Sequence, residues 1–273
     1  MRKLGVAVLV TLTLTGAASA QTADWRFHWQ QGQMFHYRVQ HSTDVAEVIN
    51  GSKVQTKSKI DLMKRWEVVA VDAQGIATLN MSITQMRNEQ TRPSGDVMLF
   101  DSQAPDKSTP ELREQMSKFI GKTLAVLRVD GQGKVVEVKQ GVASRYEAEP
   151  PLAFTLPPNP VQAGQTWQRD YTITLDPPQG TGEKHAAKQQ YVCSKIDGSL
   201  ATVSITTGLT QMPESKMEQL PLLQKLTEGE VIFDLNRGRL QSARLVINRH
   251  IEGHQGAGST YHFQSVYTEQ IVE

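Results

Sequence analysis

At 273 residues with 29 basic and 28 acidic side chains, the chain is long enough to bury a sizeable core. Without a basic run it is also too evenly charged to bind nucleic acid by neutralising phosphates. Its one cysteine, Cys193, excludes an intrachain disulfide.

The chain opens with Arg2 and Lys3, an uncharged run from Leu4 to Ala18, and then Ala18-Ser19-Ala20. Positive charge, an apolar stretch and small residues in that order make a secretory signal peptide over residues 1–20, with cleavage expected after Ala20. A periplasmic or secreted location follows. The cut removes Arg2 and Lys3 and leaves 27 basic residues against 28 acidic ones. No later stretch approaches the ~20 apolar residues that cross a bilayer, so the mature chain is expected to carry no transmembrane segment.

Residues 21–149 read as a first β-meander. Phe35, Tyr37, Val39, Val45 and Ile49 alternate with polar neighbours, the pattern of a strand with one wet face. Asn50-Gly51 suits a type I′ hairpin turn, which needs two positive φ angles. Val54, Ile60, Leu62, Trp66, Val68 and Ala70 continue the alternation on the return strand. Asp72-Ala73-Gln74-Gly75 is a turn, and Ala77, Leu79, Met81 and Ile83 share one face beyond it. Residues 96–102 read as an extra strand. Thr109 and Pro110 are suited to start a helix whose apolar stripe is Leu112, Met116, Phe119 and Ile120, ended by Gly121. A hairpin around Asp130-Gly131-Gln132-Gly133 completes this half.

Residues 150–163 are a Pro-rich junction, where Pro157-Pro158-Asn159-Pro160 cannot supply a ladder with N–H donors. Residues 164–273 form a second meander that repeats the landmarks of the first. Gly32-Gln33-Met34-Phe35 returns as Gly164-Gln165-Thr166-Trp167, the Asp72 turn as Asp197-Gly198-Ser199-Leu200, Thr84-Gln85-Met86 as Thr210-Gln211-Met212, and Gly133-Lys134-Val135 as Gly238-Arg239-Leu240. Four landmarks in one order suggest duplication. Ser215-Lys216-Met217-Glu218 resembles a capping box for a second inserted helix, which Pro221 interrupts. The fold class expected is mainly β (α+β), with two related antiparallel meanders, long curved strands, one inserted helix each and a half-barrel-like shape.

Few residues point to chemistry. Gly180-Thr181-Gly182-Glu183-Lys184 lacks the spacing and the following helix of a phosphate loop, and no Gly-x-Ser-x-Gly or His-Glu-x-x-His is present. His250, His254 and His262 could meet around a bent hairpin, but in strand context their spacing is not diagnostic of a metal site. Cys193 lies on one strand face with Tyr191 and reads as a small buried apolar residue. Asp101 and Ser102 read as turn formers. Accordingly, no catalytic residue, metal ligand or cofactor is assigned. The stripe Leu112, Met116, Phe119 and Ile120 reads either as a helix completing the core of its own sheet or as a lid over an apolar cavity.

The exported chain, the Phe100-Asp101-Ser102 segment, the stretch from Leu156-Pro157-Pro158 to Gly164-Gln165-Thr166-Trp167 and the terminal strand from Tyr261 to Glu269 together resemble an uncharacterised family of secreted bacterial proteins, a domain of unknown function. The resemblance covers nearly all of the mature chain and transfers no catalytic residue. More distantly, long meandering strands with an inserted helix are similar to the periplasmic lipoprotein-carrier superfamily, in which an incomplete barrel shelters acyl chains. This chain departs from that pattern in its length and apparent duplication. The expected function is that of an exported non-enzymatic protein whose partner is a hydrophobic ligand or an envelope protein such as a lipoprotein. A structural or assembly protein acting through strand edges is the alternative, and an exported hydrolase comes third.

Overall fold

The computed structural model describes residues 25–141, 151, 152 and 154–272. The expected signal peptide with its cleavage after Ala20 lies outside them, as do residues 142–149 at the end of the first expected meander and Pro150 and Ala153 of the junction. The strands of the first half are β1 (Met34–Ile49), β2 (Ser52–Val71), β3 (Ala77–Thr91), β4 (Val97–Asp101), β5 (Thr123–Val129) and β6 (Val135–Gln140), with α1 (Pro110–Met116) between β4 and β5. Those of the second half are β7 (Thr166–Leu175), β8 (Glu183–Asp197), β9 (Leu200–Leu209), β10 (Glu228–Asp234), β11 (Arg239–Glu252) and β12 (Thr260–Val272), with α2 (Lys216–Leu223) between β9 and β10. All belong to one antiparallel, unclosed sheet in the order β6-β5-β3-β2-β1-β12-β11-β10-β9-β8-β7, and β4 pairs with the outer part of β3. The mainly β, half-barrel-like class expected from the sequence is what the chain adopts.

The order is a tandem one. Each half runs from its last hairpin to its first strand in the same direction, and β12 lies between them, paired with β1 on one side and β11 on the other. Equivalent turns make equivalent bonds. Gly32 N–H donates to Val68 O while Val68 N–H donates to Gln33 O; Gly164 N–H donates to Cys193 O while Cys193 N–H donates to Gln165 O. In each case the Gln side chain also accepts a backbone N–H three residues upstream, from Gln30 or Gln162. At the β1–β2 turn Asn50 and Gly51 both have positive φ, 50° and 78°, as a type I′ hairpin requires.

The alternating apolar positions converge on a single cluster at one end of the sheet. It combines Phe35, Trp66, Leu79 and Leu127 from the first half with Tyr191, Val203, Phe233 and Leu240 from the second. Two segments outside the strands fill the space between the halves. The first is a strap, residues 25–29, whose Phe27 N–H donates to Gly131 O at the β5–β6 turn and whose His28 N–H donates to Gly238 O at the β10–β11 turn. Trp25 and Phe27 are buried in the cluster. The second is the junction, which contributes Leu152, Phe154 and Leu156 and is bonded through Leu156 N–H to Gln132 O. Burying each such side chain is worth roughly 1.5–3 kcal/mol.

At the opposite end each half has its own small cluster. Leu112 of α1 packs on Met98 and Phe100 of β4; Leu222 of α2 packs on Ile173, Leu175 and Ala187 of β7 and β8. Both helices begin without the side-chain caps expected of them. The Thr109 hydroxyl instead accepts the Leu99 N–H, which ties the helix start to β4. Nor does Pro221 end the second helix, which runs on to Leu223.

Candidate functional site

The face of the sheet that carries the core continues past Val39 towards the helix-bearing end. There it presents His41, Thr43, Val45, Glu47 and Ile49 from β1 and Thr56, Ser58, Ile60 and Leu62 from β2, all half-buried. Alternation places these residues on the inner face because Phe35 and Trp66, two periods away, are in the core. Among the described residues neither helix forms a packed layer over β1 or β2. Besides its own cluster on β7 and β8, the α2 side reaches β11 and β12, through Lys216 Nζ to Glu252 O, Gln224 Nε2 to Tyr261 Oη, and Arg249 Nη2 to Leu226 O. The result is a trough floored by β1 and β2, with α1 beyond β3 on one flank and α2 on the other.

Its inner end is closed by a charged network. Lys64 Nζ lies 2.9 Å from Glu269 Oε2 and 3.2 Å from Tyr267 Oη, and Tyr267 donates its hydroxyl to the same carboxylate oxygen. Lys64 and Glu269 are almost completely buried, at 5% and 1% exposure. Removing two charges from water costs several kcal/mol per ion, recovered only by close, fully bonded geometry. Glu269 together with burial holds the neighbouring Tyr37 phenol far above its ordinary range, burial being the larger cause. Tyr37 remains a donor to Leu240 O. Above the network the His41 ring meets the Tyr267 ring edge-on, and His41 Nε2 lies 2.8 Å from Ser265 Oγ.

A serine beside an imidazole is half of an acyl-transfer device. The other half is a set of free backbone N–H donors for the oxyanion. Ser265 sits inside β12, paired with Thr43 on one side and Ile247 on the other, so the ladder engages the nearby backbone groups. The pair acts here as a cross-strand polar contact.

Of the stripe picked out from the sequence, Leu112 is buried against Met98 and Phe100, and Met116 and Ile120 pack partly on the same cluster. The helix is shorter than expected and ends at Met116; Phe119 lies in the 3-10 turn Ser117–Phe119 beyond it, does not join the cluster and is 42% exposed. Met217, in the first turn of α2, is 49% exposed. At the core end a cavity of about 10 Å³ lies among Phe27, Trp29, Phe35, Tyr37 and Trp66, room for about one water and no ligand.

The other candidates are accounted for locally. His250 and His262 face each other with ring centroids 5.9 Å apart, whereas His254 is buried with Nε2 2.7 Å from Glu47 Oε1. No group of three metal-ligating side chains occurs among the described residues. Asp101 accepts the Gln103 N–H, which, with Arg87, holds its carboxyl below the usual range, and Ser102 Oγ accepts the Met86 N–H. Cys193 is fully buried, and burial raises its thiol pKa. No described helix is long and apolar enough to cross a membrane.

Sequence reading passed over Lys64 and Glu269. The signal was a gap in the alternation: on β2 the apolar positions run Ile60, Leu62, then Trp66, and on β12 Phe263, Tyr267, then Ile271. A charged residue at a position whose period demands burial marks a partner elsewhere on the same face.

No protein-family model and no curated protein matches the chain. Among solved structures, DynF from the dynemicin biosynthesis pathway of Micromonospora chersina aligns over 97% of this chain and 92% of its own, at 10% identity and a TM-score of 0.23. The MucA/MucB complex of Pseudomonas aeruginosa aligns over 86% and 89%, at 7% identity and a TM-score of 0.13. Scores this low carry no statement about fold or function, and neither bears on the lipoprotein-carrier likeness.

Proposed function

We propose that this is an exported, non-enzymatic binding protein that holds a hydrophobic ligand, an acyl chain of a lipid or lipoprotein, in the trough between α1 and α2. The observation that carries the reading is the run of half-buried apolar side chains Val45, Ile49, Ile60 and Leu62, with Phe119, in the 3-10 turn Ser117–Phe119 that follows α1, and Met217 of α2 exposed. Burying apolar area of this kind drives association at roughly 25 cal/mol per Å². The core end takes no part, since the strap and junction occupy it. The test is native mass spectrometry of residues 21–273 purified from a bacterial periplasm without detergent. A lipid-sized adduct that is lost in Phe119→Ser/Met217→Ser supports the proposal. A clean apo mass, under conditions in which a known carrier keeps its cargo, overturns it.

A second reading has its own observation. The sheet is unclosed and ends at β6 and β7, and free strand edges can take up an added strand. On that reading the protein is an envelope assembly component. Cross-linking on intact envelopes that maps to residues 135–140 or 166–175 would favour it.

A further inference from the structure

The trough and the α1 cluster meet at Asn88 of β3. Its partners across the ladders are Ile60 of the trough floor on one side and Phe100 of the α1 cluster on the other. Directly opposite residues share a face, so all three belong to the inner face of the sheet. Thr109 N–H donates to Leu99 O at the start of α1, and Gly121 N–H donates to Ile83 O beyond its end. Leu99 pairs with Glu89, so the helical segment crosses β3 between Ile83 and Glu89, the stretch that holds Asn88. The amide therefore lies at the seat of α1, on the border with the trough.

Asn88 is 3% exposed, and its Oδ1 has no hydrogen-bond partner among the described residues. A buried acceptor left unmet destabilises a fold, because water bonded the same group in the unfolded chain. Leucine at this position would remove that penalty and join Met86, Met98, Phe100 and Leu112. The nearest neighbours of Asn88 along and across the strands are Met86, Gln90, Ile60 and Phe100, and none carries a charge. The unmet group therefore calls for a hydrogen-bond donor and not for an ion. It differs in this from the inner end of the trough, where Lys64, Tyr267 and Glu269 bond one another.

We propose that Asn88 determines which acyl chain the trough takes: one with an uncharged head that donates a hydrogen bond, an amide N–H or a hydroxyl. The proposal rests on the acyl-chain reading and adds a choice of cargo to it. An amide joins an acyl chain to an amine and an ester joins it to an alcohol, so a residue that reads the donor separates N-acylated from O-acylated chains. Amides and hydroxyls also accept, which answers the Asn88 side chain whichever way its oxygen is turned. An ester or an ether offers no donor. A site that bonds a donor rejects the analogue without one, because its own buried acceptor is then left unpaired.

The test is isothermal titration of residues 21–273 with two matched pairs that differ by one donated hydrogen: N-methyldecanamide against methyl decanoate, and 1-decanol against methyl decyl ether. The donor of at least one pair is expected to bind about tenfold or more tightly than its partner, and the pair that discriminates names the head group. Asn88→Leu keeps the branched shape without the amide, and Asn88→Ala removes the amide without crowding the seat of α1. Both are expected to bind the members of each pair within about twofold of each other and to leave the affinity for methyl decanoate unchanged. Thermal melting of the variants separates a lost preference from a lost fold. Equal binding within both pairs, or a preference that survives both substitutions, would overturn this proposal and leave the acyl-chain reading standing. Binding of none of the four compounds, or binding that Phe119→Ser/Met217→Ser leaves unaltered, would overturn the acyl-chain reading and this proposal with it.

Discussion

The two ends of the sheet are built on different plans. At the core end both halves contribute to one cluster, sealed by a strap that bonds to equivalent turns of the two halves and by a junction that bonds to the β5–β6 turn. At the helix end the clusters of α1 and α2 are small, separate, and each confined to its own half. The halves therefore share a core at one end, while at the other, where the trough lies, they meet through the β1–β12 ladder and local contacts such as His254 with Glu47. Stability should concentrate where the halves share a core, and adaptability where they do not.

The largest effect should come from the strap. Phe27→Ala removes a ring packed on Trp29 and Phe233 and is expected to cost about 3–5 kcal/mol in urea unfolding. A cost below about 1 kcal/mol would mean that the strap does not join the halves. Comparable in size is the break of the buried ion pair: Lys64→Met alone should cost about 3–5 kcal/mol by leaving Glu269 uncompensated. Lys64→Met/Glu269→Leu should recover most of that loss, and failure to recover it would show that the charges themselves hold β2 to β12.

Leu112→Ala should cost about 2–5 kcal/mol locally, with amide exchange quickening in β4 and α1 and unchanged in β7–β9. Spread into the second half would deny the separateness of the helix end. A smaller effect is acid sensitivity at the β2–β3 turn. The Ile76 N–H, followed by Gln74 and Arg128, lowers the Asp72 pKa. That contribution is present above the ordinary carboxylate range and lost as pH falls through the lowered value. Asp72→Asn should flatten the acid limb of the stability profile measured by thermal melting. The smallest change is Phe119→Ser, expected to alter stability by no more than about 0.5 kcal/mol. A larger loss would mean that Phe119 belongs to the fold and not to the mouth of the trough.

Strand alternation was legible because it is local: Phe35, Tyr37 and Val39 declare an inner face whatever they pack against. The same holds for Asn50-Gly51, where two positive φ angles have few other solutions. The helix starts were less legible. Thr109 has the right chemistry for a cap, but β4 lies within reach and takes its hydroxyl, a competition visible only in three dimensions. Of the candidate site, Leu112, Met116 and Ile120 were found by their helical spacing, while the exposure of Phe119 depended on where α1 meets β4. Lys64 and Glu269, 205 residues apart, had no local sign of each other.

The sequence by itself determined the strands, their turns, the two inserted helices and the matching landmarks of the halves, because each depends on side-chain period and backbone preference within a few residues. Only the tertiary structure decided that the halves share one sheet through β12, that residues 25–29 together with Leu152, Phe154 and Leu156 fill the space between them, and that a buried ion pair closes the trough. Those features come from long-range pairing, where the free energy of burial selects among partners that look alike in one dimension.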